Sequence, residues 1–220
     1  MEVPADIEWI ESAAPVPYEE ALAFMQGRAA AIRDGTASEC VWLLEHPPLF
    51  TAGTSADPAE LTNPMHFPVY DAGRGGRYTY HGPGQRVVYL MLDLERRGKD
   101  IRCFVDGLEQ WMIDTLGQLG VSAHRADGRI GIWVGDGPDE AKIGALGVRV
   151  KRWVTLHGMA LNVAPDLSHF TGIVPCGIAE YGVTSLAELG KQIPLERVDA
   201  ALKQSFRPFL NSLGRACKVS

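Results

Sequence analysis

The sequence predicts an α+β fold in which a mostly antiparallel sheet is flanked by helices. Two observations carry this. Stretches with helical periodicity stand apart in blocks at 17–33, 100–119 and 195–213, without the strict strand–helix alternation of a doubly wound parallel sheet. Strand-like pieces at 130–134, 142–150 and 155–163 follow one another closely, with Gly135-Asp136-Gly137 at the first turn, as in an antiparallel meander.

Each element has a local reason. In 17–33 the apolar residues Leu22, Met25, Ala29 and Ile32 fall at helical spacing, and Gly35 stands behind them as a helix stop. Residues 40–44, Cys-Val-Trp-Leu-Leu, read as a buried strand, and Pro47-Pro48 must be loop because proline cannot extend a ladder. The run 73–85 holds five glycines and one proline and leads into the apolar strand 87–92. A second amphipathic helix, 100–119, aligns Phe104, Leu108, Trp111, Met112, Thr115 and Leu119 and ends at Gly120. Ser185 and Glu188 have capping-box spacing for a short helix, and 195–213 is a closing helix with Gly214 behind it.

A chain of 220 residues, 46% hydrophobic, can bury a full core, and one domain over 1–220 is expected. A formal charge of −6 argues against a general nucleic-acid or membrane-surface binder, leaving small molecules and proteins as partners. Cysteines at 40, 103, 176 and 217 form no CxxC pair, and the histidines have no metal-ligand spacing with them, so neither a disulfide scaffold nor a metal site is expected. The start is acidic and no apolar run nears the length of a membrane span. A cytoplasmic chain is the expectation.

Two residues carry the chemistry. Cys176 lies in Thr171-Gly-Ile-Val-Pro-Cys-Gly177, where little crowds the thiol; Cys40, Cys103 and Cys217 read instead as packed or tail residues. Lys142, in Ala141-Lys-Ile-Gly-Ala-Leu-Gly147, would share a strand face with Gly144, Leu146, Val148 and Val150 and so point inward. An inward lysine can act as a base or can stay charged beside a thiolate. The plain alternative is a solvated lysine at the strand edge.

The glycine loop offers many backbone N–H groups for a carbonyl or anion, although it is neither a P-loop nor a dinucleotide fingerprint. His81 within it suits substrate binding or the loop's own polar groups. In 157–163, Gly158, Ala160 and Asn162 form one face and His157, Met159, Leu161 and Val163 the other. The small face leaves room for an extended chain or for a closely packed helix.

The segments GRGGRYTYHGPGQRVVYL, KIGALGVRV, HGMALNV and PCGI, in this order, resemble the motif set of the octanoyltransferase family over about residues 40–190. The resemblance implies the fold of lipoate and biotin protein ligases. It also implies transfer of an octanoyl group from octanoyl-acyl carrier protein to a lysine of lipoyl domains, those of 2-oxoacid dehydrogenases and the glycine cleavage H protein, in protein lipoylation. By motif, Cys176 would be the acyl-thioester nucleophile and Lys142 its activating partner. Arg74, Gly75, Gly76, Arg77, Tyr78, Thr79, Tyr80, His81, Ala145, Leu146, Gly147, Gly158, Met159 and Ala160 would line the acyl pocket. A thioester donor is already activated, so no cofactor is expected. The rival readings are an ATP-dependent lipoate or biotin ligase, a non-catalytic acyl-chain or lipoyl-domain binder, and a thioesterase. Acyl carrier proteins are acidic, so a basic rim is expected at Arg96, Arg97, Lys99 and Arg102 or at Arg149, Lys151 and Arg152.

Overall fold

The computed structural model describes residues 7–173 and 182–214. In chain order the first elements are β1 (Ile7–Glu11), α1 (Tyr18–Arg33), β2 (Glu39–Leu44), β3 (Leu49–Ala52), β4 (Val69–Asp71), β5 (Thr79–His81) and β6 (Gln85–Met91). There follow α2 (Ile101–Gln118), β7 (His124–Ala126), β8 (Arg129–Val134), β9 (Ala141–Lys151), β10 (Val154–Asn162), β11 (Gly182–Val183) and α3 (Leu195–Ser212).

The main sheet runs β1-β2-β6-β10-β9-β8-β7, with β11 on β9, and β4-β3-β5 form a small second sheet. All pairings along the main path are antiparallel except β1 with β2. The expected α+β architecture is therefore observed. The short strands β1, β3, β4, β5 and β7 extend it beyond the long apolar runs.

One face of the sheet carries α1, whose buried side Tyr18, Ala21, Met25, Ala29 and Ile32 comes from its 3–4 residue spacing. Met25, Ala29 and Ile32 join Trp42, Val87, Tyr89, Leu156 and Ala160 in one cluster. The other face carries α2 and α3. Their Phe104, Leu108, Trp111, Met112, Phe206 and Phe209 pack with Val41, Leu43, Val88, Leu90 and Leu161 of the sheet. Trp111 stacks on Phe209 and donates its indole N–H to the Leu202 carbonyl at 3.0 Å, so the polar tip of a fully buried ring is satisfied. Each such ring contributes about 1.5–3 kcal/mol through burial. Asp100 caps α2 by accepting from the Cys103 amide at 2.9 Å.

Two local expectations change, and the basic residues show their pairing. Ser185 accepts from the Glu188 amide at 3.1 Å, but the residues after it form a turn, not a helix. Cys103 is disulfide-bonded instead of being a packed thiol. Arg96, Arg97 and Lys99 pair with Asp93, Glu39 and Glu95, and Arg152 with Asp34, so these basic residues sit in mixed-charge clusters. No described helix is long and apolar enough to cross a membrane. Among the described residues no three His, Cys, Asp or Glu side chains gather as metal ligands would.

Candidate active site

A cavity of about 210 Å³ lies between the α1 face of the sheet and the glycine-rich loop that covers it. Its base follows from strand register: Ala160 of β10 lies opposite Val87 of β6 and Ala145 of β9, and Gly158 lies opposite Tyr89 and Gly147. Small residues at the central positions leave room above the sheet. All fourteen residues of the expected acyl pocket except Gly75 and Tyr80 line this cavity.

The two exceptions have structural roles nearby. Gly75 donates its amide to the Val148 carbonyl at 3.0 Å and ties the loop to β9. Tyr80 turns the other way, into a cluster with Phe50, Phe170 and Ile173, with its hydroxyl hydrogen-bonded to His169 Nδ1 at 2.7 Å. Burial pushes that phenol up to about 12.

Arg74 shapes the roof. Its guanidinium donates to Thr51 Oγ1 at 2.7 Å and to the carbonyls of Thr51, Gly75 and Arg77. The loop thus folds around a buried cation whose donors satisfy backbone carbonyls that water does not reach. Gly147 lets the roof come close: a Cβ there would stand 2.8 Å from Arg74 Cδ.

Lys142 reaches this face through an irregularity in the ladder. Ile132 of β8 pairs with Gly144 but Trp133 pairs with Lys142, so Ile143 is the extra residue of a β-bulge. Ile143 packs toward α2 and α3, and so do Leu146, Val148 and Val150 beyond it. Lys142 therefore falls on the opposite face, that of Trp133, instead of sharing a face with Gly144, Leu146 and Val148 as strict alternation predicts. Its Nζ donates to the Ile130 carbonyl at 2.6 Å and lies 5.6 Å from the Trp133 ring centroid. The side chain is 6% exposed, and Ile130 itself lines the cavity. Cys176 lies outside the described residues.

At the β6 end the cavity meets a group of polar aromatic residues that the sequence reading left out. Tyr18 and Tyr89 line it, as do Thr51, Val87 and His157. The Tyr18 hydroxyl is hydrogen-bonded to His157 Nε2 at 3.1 Å, and the Tyr89 hydroxyl to His46 Nε2 at 2.8 Å. Burial pushes Tyr18 up to about 12 and holds His46 down at about 4 and His157 at about 3, the latter helped by the nearby charges of Arg74 and Arg149. His81 is also held well below the usual imidazole range, chiefly by burial. These histidines are neutral at physiological pH. Tyr89 carried a sequence signal, a polar-tipped ring alternating with Val87 in an apolar strand. Tyr18 carried none, because only the docking of α1 brings it here.

The architecture and the lined cavity define a class. The family described as "Lipoyl protein ligase A/B catalytic domain" matches residues 17–207, most of the chain. A solved structure from Thermoplasma acidophilum, of an archaeal lipoylation system with a bipartite lipoate protein ligase and its lipoyl domain, superposes with a TM-score of 0.67. It covers 93% of this chain and 84% of that one at 16% identity, a likeness of fold alone.

Sequence similarity narrows the class. The octanoyltransferase of Sphingopyxis alaskensis is 67% identical over 207 residues, covering 94% of this chain and 95% of that one. That of Rhizorhabdus wittichii is 60% identical over 213 residues, covering 97% and 96%. The chain belongs to the octanoyltransferase family.

Proposed function

We propose that this chain is an acyltransferase that moves an octanoyl group from octanoyl-acyl carrier protein to a lysine of lipoyl domains. Those of 2-oxoacid dehydrogenases and the glycine cleavage H protein are the acceptors by this reading. The observation that carries the proposal is the bulge at Ile143, which brings Lys142 to the face of β9 where the small-residue cavity lies.

The reaction has two acyl transfers. The Cys176 thiol gives its proton to the neutral Lys142 amine, which then stands as the cation beside the thiolate, and the thiolate attacks the thioester carbonyl. The new carbon–sulfur bond replaces the donor's, and the carrier thiolate leaves and takes up a proton. The neutral amine of the acceptor lysine then attacks the acyl-cysteine, loses a proton, and expels the Cys176 thiolate as the amide forms. Both transfers pass through a tetrahedral oxyanion, for which the backbone N–H groups around Cys176 and Ala145 to Gly147 are the candidates. The donor is activated already, so no ATP enters the balance.

The test is intact-protein mass spectrometry after incubation with octanoyl-acyl carrier protein and no ATP, for wild type and Cys176→Ala. The expected result is an octanoyl adduct on the wild type alone, discharged by a lipoyl domain. Octanoylation that appears only with free octanoate and ATP would replace this reading with a ligase.

A further inference from the structure

The cavity crosses the sheet instead of running along a strand. Lys142 Nζ meets the Ile130 carbonyl at β8, while Val87 and Tyr89 of β6 lie at the other side, across the order β8-β9-β10-β6. With strands about 4.8 Å apart, β8, where the ammonium sits, to β10, which carries His157, is two spacings or about 10 Å. An extended octanoyl chain, seven carbon–carbon bonds of about 1.5 Å, spans about 9 Å. A carbonyl held at the Lys142 ammonium over β8 therefore places the terminal methyl over β10, which carries His157, with Tyr18 of α1 set against it.

Three features single out His157. Its φ of 62° puts a non-glycine residue in the left-handed region, and the ring leaves strand alternation to face Tyr18 and Tyr89. It is 3% exposed, yet Nδ1 has no hydrogen-bond partner among the described residues. Its Nε2 is anchored by the Tyr18 hydroxyl. A strained backbone and an unpaired buried nitrogen both cost stability, and neither is needed to close an apolar core, where a leucine in ordinary strand geometry would serve.

We propose that His157, anchored by Tyr18, is the polar stop that sets acyl length in this cavity. The proposal rests on the transfer reading above. An eight-carbon chain fills the apolar stretch over Ala145, Gly158, Ala160 and Val87. Further methylenes press against a polar ring, losing the gain that apolar burial gives each of them.

The test is a competition in which equimolar hexanoyl-, octanoyl- and decanoyl-acyl carrier protein acylate one lipoyl domain. The product masses give the selectivity ratio independently of how much enzyme is folded. His157→Asn shortens the side chain while suiting the left-handed backbone. It is expected to raise the decanoyl-to-octanoyl ratio about tenfold, two methylenes' worth of burial. Tyr18→Phe, which keeps the ring but frees the imidazole to turn, is expected to move the ratio about threefold the same way. A wild-type ratio in both variants, with the acceptor still acylated, overturns the length role and leaves the transfer reading intact. No acylation of the domain by wild type overturns both.

Discussion

The Lys142 side chain crosses directly over Gly131, occupying the space a Cβ would need. A Cβ built there would lie 2.1 Å from Lys142 Cε and 2.7 Å from its Nζ, and Gly131 has φ 127°. Gly131→Ala would therefore strain β8 and push the ammonium away from the Ile130 carbonyl. Loss of about 100-fold in kcat is expected, the scale of an ångström's misplacement. The check is steady-state octanoyl transfer at saturating donor, beside a circular-dichroism melt to confirm folding. Near-wild-type kcat would show that Lys142 need not lie there.

Gly147 tests the roof separately. Its Cβ would crowd Arg74, whose guanidinium holds the loop carbonyls, so Gly147→Ala should displace the loop from the sheet. The cavity cover suffers while Lys142 keeps its bond to Ile130. We expect KM for octanoyl-acyl carrier protein to rise by about tenfold with kcat within about threefold, as for a loss of uniform binding. Initial-rate kinetics over donor concentration decide it. A fall confined to kcat would place Arg74 in the chemistry instead.

Much of this site was legible in the sequence because its residues come in short runs. The loop 74–81 and the segments 145–147 and 158–160 are each local, and strand pairing needs only to bring them together. The bulge at Ile143 was not legible, since it exists only as a mismatch between β9 and β8, and nothing within 141–151 marks it. Lys142 was rightly read as inward, but its companions on the face were wrong for that reason. β1 is not legible because its five residues, Ile7-Glu-Trp-Ile-Glu11, break strict polar–apolar alternation at Ile10 and form a short parallel strand at the sheet edge. Tyr18 and His157 meet across 139 positions of sequence, a contact set by how α1 lands on β10.

The buried neutral histidines make stability depend on pH. His46 is held at about 4 in the folded chain by burial, against about 6.5 when unfolded. Above pH 6.5 neither state binds the proton and the group is silent. As pH falls below 6.5 the unfolded chain takes up a proton that the folded chain refuses, so stability drops by about 1.4 kcal/mol per pH unit down to about pH 4. His157 acts with the same sign, toward about 3. We expect the unfolding free energy to fall between pH 6.5 and 4.5. In His46→Gln, which can still bond both the Val16 carbonyl and Tyr89, the fall should be shallower by about one proton. Urea titrations at four pH values measure both slopes. Parallel slopes would mean that His46 is protonated in the folded chain.

Away from the cavity, Arg86 of β6 and Asp199 of α3 form a bidentate pair, with Nε to Oδ1 at 2.8 Å and Nη2 to Oδ2 at 2.5 Å. Both side chains are about 5% exposed, so the pair fastens α3 to the sheet from inside. Burial raises the Asp199 carboxyl while Arg86 opposes that shift. Removing one partner strands the other's charge, so Asp199→Ala should cost about 3–5 kcal/mol. The double replacement Arg86→Met with Asp199→Leu strands nothing, and should recover most of that loss. Urea unfolding of the two variants separates charge desolvation from packing. Equal destabilisation in both would mean that α3 is held by the shape of this contact and not by its charges.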